Sequence, residues 1–185
     1  MKIHYLLTAT AIFDTTISLS QPLSSSYTDH AAITSTVLTF YRSIDLKSAS
    51  LMRSTTTPSL IFDGTAFASI GIGAPEPLVG QDIIVPGLLA SFANLTTMHN
   101  VGNFNVTFIA GEKERANVTA YVLAYHYREV EMPTESPRNN YLMGNLFVGS
   151  VVQGEGNRGM DWKLERVELR PFFQSGNIEV MGLTQ

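Results

Sequence analysis

The sequence predicts an α+β domain in which N-terminal helices precede a long antiparallel sheet. Apolar residues recur at helical spacing in the first half of the chain, and the second half changes to four long strand-like runs separated by turn residues. A helix pair followed by such a meander is expected to bury its apolar faces by curving the sheet around the first helix. The length of 185 residues is that of a single domain.

The first helix is predicted to begin at Thr28 or Asp29, because either residue can cap it, and a linker at residues 21–28 precedes it. A second, short helical segment covers residues 46–53, and residues 59–63 form a short strand. One apolar stripe on the first helix faces the expected core: Ile33, Val37, Phe40, Tyr41 and Ile44.

The middle of the chain is predicted to be a loop followed by a helix. Residues 64–80 contain Gly71, Gly73, Pro75 and Pro77, which favour a loop, and residues 81–93 return to helical spacing. The four strand-like runs then cover residues 97–109, 116–129, 141–153 and 160–170. Residues 111–114 indicate a four-residue hairpin loop between the first two strands.

The composition restricts the classes of function. The chain is 44% hydrophobic and 15% charged, which supports a large core and suits an interior that holds an apolar guest. Its formal net charge is −4 and it has no basic block, so nucleic acid is not an expected partner. It has no cysteine, which excludes disulfides, thiolate metal sites and cysteine nucleophiles.

Two interpretations of the N-terminus remain open. Lys2 and His4 precede an apolar stretch at residues 5–13, and small residues at 18–20 suit cleavage near Gln21. Residues 1–20 are then either a signal peptide of a secreted protein or a disordered extension of a cytoplasmic one. The stretch is too short to span a membrane, and a membrane partner is not expected. Sequons at Asn94, Asn105 and Asn117 do not decide the compartment, because two of them fall in predicted strands.

Six short phrases, in this order, resemble the SnoaL-like domains of the NTF2-like superfamily. They are Phe-Tyr-Arg-Ser-Ile-Asp at 40–45, Ile-Phe-Asp-Gly at 61–64, Leu-Val-Gly-Gln-Asp-Ile at 78–83, Thr-Met-His-Asn-Val-Gly-Asn at 97–103, Ala-Tyr-Val-Leu-Ala-Tyr-His at 120–126 and Asp-Trp-Lys-Leu at 161–164. The resemblance covers residues 29–173 and leaves 174–185 as a C-terminal tail.

This resemblance implies an NTF2-like cone-shaped barrel, in which a curved mixed or antiparallel sheet wraps around the N-terminal helices and encloses a central pocket. It also implies a homodimer formed through the sheet. It does not imply one reaction, since the superfamily includes polyketide cyclases, ketosteroid isomerase, scytalone dehydratase and members without catalysis.

Two histidines are the leading candidates for chemistry. With a four-residue hairpin loop at 111–114, residue 110 faces residue 115, so the numbers of any two opposed residues sum to 225. The numbers 99 and 126 also sum to 225. His99 and His126 would then be direct cross-strand neighbours, with Cβ atoms about 5 Å apart. Alternation places them on one face with Val101 and Val122, whose small side chains leave room for a ligand. We therefore assign this face, with both valines, to the substrate-binding pocket.

Adjacent neutral imidazoles disfavour double protonation, so one is expected to remain a base near neutral pH. The pair resembles the histidine pair in the pocket of scytalone dehydratase. That resemblance implies that one histidine removes a proton next to a carbonyl while the other protonates a leaving hydroxyl or an enolate. In the alternative interpretation, His99 and His126 only hydrogen-bond each other or a buried carboxylate.

Four further residues complete the predicted site, each with a structural alternative. Asp45 can orient a histidine or be a solvated helix end, and Tyr41 can be a phenol donor or ordinary core. Asp63 is placed where ketosteroid isomerase has its general-base carboxylate, but a turn-forming Asp before Gly64 is the favoured interpretation. Asn145 can hydrogen-bond a substrate oxygen or belong to the core.

The sequence thus favours a cofactor-independent acid–base enzyme, a dehydratase, isomerase or cyclase, acting on an apolar oxygenated molecule such as a polyketide or terpenoid. The alternative is a non-catalytic ligand-binding protein or dimeric scaffold of the same fold. No metal is expected, because two histidines without a third ligand make a poor cage. No nucleotide cofactor is expected, because the two glycines at 71 and 73 lack the strand-to-helix context of a dinucleotide motif.

Overall fold

A computed structural model of the chain describes residues 25–128, 139–154 and 161–182. The signal-peptide prediction for residues 1–20 therefore lies outside the described residues. None of the helices in the described part is long and apolar enough to cross a membrane.

The described residues form three α-helices: α1 at Ser25–Asp45, α2 at Ala49–Ser54 and α3 at Gln81–Ser91. Helix α1 begins inside the predicted linker, so Asp29 does not cap it but accepts a hydrogen bond from Trp162 Nε1 at 3.2 Å. The predicted apolar stripe of α1 is confirmed as its buried face. Short 3-10 helices occupy Thr65–Ile70 and Ile178–Met181.

One curved six-stranded sheet packs against α1, in the order β2-β1-β6-β5-β4-β3. Its strands are β1 Thr56–Asp63, β2 Leu78–Val79, β3 Leu95–Ile109, β4 Glu112–Arg128, β5 Asn140–Gln153 and β6 Trp162–Gly176. Strand β1 pairs in parallel with β6 and the other pairs are antiparallel, which confirms the predicted α+β class and mixed sheet. The sheet is not closed into a complete barrel.

The ends of two predicted segments differ from the structure. The predicted loop at residues 64–80 contains a 3-10 helix as well as β2, which pairs with β1. The predicted tail begins at residue 174, but β6 continues to Gly176 and a 3-10 helix follows it. Met181 in that helix packs against the core.

The β3–β4 hairpin turns more tightly than predicted. Ile109 pairs with Glu112, so only Ala110 and Gly111 lie between the strands instead of a four-residue loop. Gly111 has a φ of 86°, a left-handed conformation that glycine adopts without steric cost.

Two irregularities then shift the register of this hairpin, one between Phe108 and Ile109 and one between Gly102 and Asn105. Asn103 lies within the second and has a φ of 53°. Such a bulge reverses which residues of a strand face inward. Phe108 therefore packs against the core, although a register without bulges would place it on the outer face.

The predicted pairing of His99 with His126 is consequently wrong by two residues. His99 pairs with Ala124, and His126 pairs with Thr97. Because the error is an even number of residues, both histidines still lie on the inner face of the sheet, as diagonal rather than direct neighbours.

Candidate functional site

Both histidines line a cavity of about 420 Å³ between the sheet, α1, α3 and the segment that follows β1. Most of its lining is apolar, including Phe40, Phe62, Phe67, Leu88, Phe92 and Met143. The polar side chains in the lining are Tyr41, Ser91, His99, His126 and Asn145. A mostly apolar cavity of this size with a few convergent polar groups is typical of a small-molecule site.

Asp45, the last residue of α1, binds the side chain of His99 on β3. Its Oδ1 atom lies 2.7 Å from His99 Nδ1 and accepts a hydrogen bond from Thr97 Oγ1 at 2.8 Å. Its Oδ2 atom accepts a hydrogen bond from the backbone N–H of His99 at 3.1 Å. With the Nδ1 proton held by the carboxylate, the neutral His99 ring keeps its lone pair on Nε2.

The Asp45 carboxyl is ionised in this environment. Burial opposes its ionisation, but the hydrogen bond from His99, the charge of His99 and the hydrogen bond from Thr97 together hold the pKa of Asp45 below its ordinary value. The His99 side chain is only 4% exposed. The site thus contains a buried imidazole held next to a fixed negative charge.

His126 is held in a different state. It is 3% exposed, and its Nδ1 atom lies 3.1 Å from the backbone carbonyl oxygen of Tyr141. Burial and the nearby His99 lower the pKa of His126 to about 4, although the hydrogen bond to Tyr141 and the charge of Asp45 oppose this. Since a carbonyl oxygen only accepts, Nδ1 carries the proton and Nε2 is an acceptor at neutral pH.

Aromatic rings hold the two imidazoles in place. The ring centroids of His99 and His126 are 5.8 Å apart, with the planes nearly perpendicular at 87°. Tyr41 lies 5.1 Å from His99 at a tilt of 34°, and Phe92 stacks on His126 at 5.6 Å and 14°. These contacts restrict the orientation of both rings.

Tyr41 and Asn145 both line the cavity, and each carries a buried polar atom without a partner among the described residues. The Tyr41 hydroxyl and Asn145 Oδ1 are buried and have no hydrogen-bond partner among the described residues. Burial raises the pKa of Tyr41 above its ordinary value, so the phenol stays protonated as a hydrogen-bond donor. An unpaired buried polar group costs about 1–3 kcal/mol, so each of these two atoms lowers the stability of the free protein.

Four of the predicted site residues are not part of the cavity lining: Asp45, which reaches it only through His99, and Asp63, Val101 and Val122. Asp63 accepts hydrogen bonds from Thr65 Oγ1 and Arg166 Nη2, both at 2.7 Å, and the bond from Thr65 is the main reason that its pKa is lowered. It is therefore a turn-forming residue, as the favoured interpretation had it. Val122 is buried core and Val101 packs against that core, outside the cavity wall.

The prediction missed three contributors to the site. Thr97 precedes His99 by two residues, so alternation along β3 could have placed its hydroxyl on the same face. Phe92 follows α3 and has no distinguishing sequence signal. The Tyr141 contribution comes from a backbone carbonyl, which no residue pattern reveals.

Two other findings concern the described residues only. They contain no group of three or more His, Asp or Glu side chains placed to hold a metal ion. A second, more open concavity of about 370 Å³ is lined mainly by small and hydroxyl side chains of α1, with Trp162 and Asp161. It contains none of the predicted site residues.

Comparisons with known proteins agree with this fold. The family model for the SnoaL-like domain matches residues 25–164. The solved structure of Kfla4162 from Kribbella flavida is 24% identical, with 85% of this chain and 99% of that chain covered and a TM-score of 0.70. A comparison with curated proteins found no match.

Two further similar structures carry enzyme names. A protein of Novosphingobium aromaticivorans, provisionally designated a scytalone dehydratase, is 19% identical over 83% of this chain and 90% of that chain, with a TM-score of 0.64. Hexachlorocyclohexane dehydrochlorinase LinA-type3 from Novosphingobium barchaimii is 13% identical over 83% and 93% of the respective chains, with a TM-score of 0.61. At these identities the similarity shows the fold alone.

Proposed function

This chain belongs to the SnoaL-like domain family of the NTF2-like superfamily, and from that premise we propose that it is a cofactor-independent acid–base enzyme acting on an apolar, oxygenated small molecule. The observation that carries the proposal is the 2.7 Å contact between Asp45 and His99, in which the His99 side chain lines an apolar cavity and is only 4% exposed. A carboxylate that orients an imidazole and stabilises its protonated form makes that imidazole an effective base.

His99 is the proposed general base. Its Nε2 lone pair removes a proton from a carbon next to a substrate carbonyl, and Asp45 stabilises the imidazolium that forms. The phenol of Tyr41 donates a hydrogen bond to the carbonyl oxygen as negative charge develops on it. This assigns the unsatisfied hydroxyl a partner that exists only when substrate is bound.

The second half of the reaction returns the same proton. His99 gives it to a leaving hydroxyl, so that the C–O bond breaks, water departs and a C=C bond remains. In an isomerisation, His99 instead returns it to another carbon of the enolate. His126 is neutral, with its free lone pair at Nε2, so it accepts a hydrogen bond from a substrate hydroxyl instead of donating a proton. This modifies the predicted mechanism, in which the second histidine was the acid.

The names of two similar structures support elimination as the reaction class. Dehydratase and dehydrochlorinase both denote the loss of a small molecule from adjacent carbons. Removal of a carbon-bound proton is common to such reactions, and the Asp45–His99 pair has the geometry for it.

We also propose a homodimer formed through the outer face of the sheet. Exposed apolar side chains on β3, β4 and β6 are Met98, Tyr121, Leu123, Phe172 and Phe173. The rings of Tyr121 and Phe172 contact each other at a centroid distance of 5.7 Å. A contiguous exposed apolar surface is typical of a protein–protein interface.

Deuterium exchange into a ketone tests the proposed base without knowledge of the natural substrate. The purified protein is incubated in deuterated buffer with a panel of apolar cyclic ketones, and the loss of the α-proton signal is followed by NMR. The wild type is expected to accelerate exchange, and His99→Gln to abolish this acceleration.

His30→Gln is the matched control, because His30 is exposed and outside the cavity lining. If ketones bind equally well to the wild type and His99→Gln but exchange is accelerated in neither, the protein is a ligand-binding module, and the catalytic proposal fails.

A further inference from the structure

Helix α3 and the residue that follows it form one side of the cavity through Gly87, Leu88, Ser91 and Phe92. Residues with this spacing lie on one face of a helix. Gly87 is exposed to solvent, whereas Leu88 and Phe92 are half-buried. A residue that both lines the cavity and is exposed lies at its mouth.

Three glycines line the cavity, and only at Gly87 is the space beside the backbone open. A Cβ added at Gly73 would lie 2.7 Å from the carbonyl oxygen of Gly64, and Gly73 also has a φ of 99°. A Cβ at Gly64 would lie 3.3 Å from the ring of Phe62. At Gly87 an added Cβ would meet nothing within 4 Å. Local packing thus accounts for the first two glycines but not for Gly87.

Backbone conformation does not account for Gly87 either. It lies in the interior of α3 and is not among the residues with positive φ. Glycine is one of the least favourable residues at such a position, because it loses the most conformational freedom when the helix forms. The physical consequence of the missing side chain is open space beside the backbone at an exposed position of the cavity lining.

We infer that Gly87 determines which ligands enter the cavity: its missing side chain admits a fused-ring ligand that a larger residue would exclude. The cavity volume of about 420 Å³ is sufficient for a molecule larger than a single ring. The width of the cavity mouth at Gly87, and not the cavity volume, therefore distinguishes a fused bicyclic ligand from a single-ring one. This inference rests on the ligand-binding part of the proposed function and not on its catalytic part.

Two aromatic alcohols of different size test the inference, with phenol as the single-ring probe and 2-naphthol as the fused-ring probe. Binding of each to the wild type, Gly87→Ala, Gly87→Leu and Gly87→Met is measured by isothermal titration calorimetry. Gly87→Leu and Gly87→Met are expected to weaken 2-naphthol binding by about tenfold or more and phenol binding by less than about threefold. Gly87→Ala is expected to raise the thermal midpoint by about 2–4 °C, because alanine favours the helix.

Ala90→Leu is the matched control, because Ala90 is exposed on the same helix and does not line the cavity. It is expected to bind both probes as the wild type does. The inference is overturned if Gly87→Leu and Gly87→Met bind 2-naphthol with wild-type affinity, if both probes weaken equally, or if the wild type binds neither.

The two proposals can fail separately. His99→Gln is expected to abolish deuterium exchange while it keeps 2-naphthol bound, and Gly87→Leu is expected to lose 2-naphthol whatever the outcome of the exchange experiment. Normal 2-naphthol selectivity in Gly87→Leu, together with lost exchange in His99→Gln, would overturn the role of Gly87 alone.

Discussion

Asp45 Oδ1 lies 2.7 Å from His99 Nδ1, and this contact joins the end of α1 to the inner face of β3. The same oxygen accepts a hydrogen bond from Thr97, while the second carboxylate oxygen accepts one from the His99 backbone. These hydrogen bonds fix the orientation of the carboxylate before a ligand arrives. The geometry of the pair is thus already formed in the free protein.

Replacement of Asp45 by Asn is expected to lower the rate of proton removal by about 10²- to 10³-fold, because the amide keeps the size of the side chain but cannot stabilise the imidazolium. Ligand affinity is expected to change little. The measurement is kcat and KM for α-proton exchange on the ketone that the wild type uses best. Asp82→Asn is the control, since Asp82 is exposed on α3 and outside the cavity lining. An unchanged kcat in Asp45→Asn would remove Asp45 from the mechanism.

The NMR titration of His126 is expected to give a pKa of about 4, because burial and the nearby His99 both disfavour the imidazolium. Replacement of His99 by Gln is expected to raise the pKa of His126, since the repulsion between the two rings disappears. Two-dimensional spectra of the imidazole nitrogens between about pH 3 and 8 measure this pKa and also identify the protonated nitrogen. A pKa near the reference of about 6.5 would show that His126 is solvated and not enclosed.

The stability of the fold is expected to fall as the pH decreases from about 6.5 to 4. The pKa of His126 is lower in the folded protein than in the unfolded chain, so in this window the unfolded state binds the additional proton. The loss is at most about 3 kcal/mol, because each pKa unit corresponds to about 1.4 kcal/mol. Urea unfolding at several pH values measures it. His126→Gln should have a flatter profile in this window, and identical profiles for the two proteins would contradict the expectation.

The element order could be predicted from the sequence because periodicity reflects burial directly. Alternate residues of β4 from Ala116 to His126 are all buried, and the apolar stripe of α1 is its core face. The register of the hairpin could not be predicted, because it depends on a two-residue turn and on the two irregularities, one next to Phe108 and one at Asn103. Both are local backbone features that short polar or glycine-containing sequences permit but do not require.

The candidate site could be predicted only in part, for a related reason. The two histidines remain on one face because the register error is even, but their ring geometry depends on the actual pairing. The contact between Asp45 and His99 depends on where α1 ends relative to β3, which is a tertiary relationship. The tautomer of neutral His126 depends on its hydrogen bond to a backbone carbonyl of β5. The residues around His126 in the sequence do not indicate that partner.

Disruption of the exposed apolar face of the sheet is expected to convert a dimer into a monomer. In Tyr121→Glu, a charge would be buried without a partner at the proposed interface, which strongly disfavours association. Size-exclusion chromatography with light scattering should give twice the chain mass of 20.3 kDa for the wild type and a single chain mass for the variant. Leu46→Glu is the control at an equally exposed apolar residue next to α1. A wild type with the mass of one chain would refute the dimer.

Replacement of Tyr41 by Phe is expected to stabilise the free protein and to impair its function. The Tyr41 hydroxyl is buried without a partner among the described residues, so its removal is expected to raise the free energy of unfolding by about 1 kcal/mol. Turnover is expected to fall by about 10- to 100-fold, because the developing oxyanion loses a donor. Tyr141→Phe is the matched control of opposite sign, since the Tyr141 hydroxyl has a partner, Gln174 Oε1, and its removal loses that hydrogen bond. Thermal unfolding and exchange kinetics on both variants measure the two effects. A destabilised Tyr41→Phe with unchanged turnover would show that the hydroxyl has a structural partner instead of a ligand.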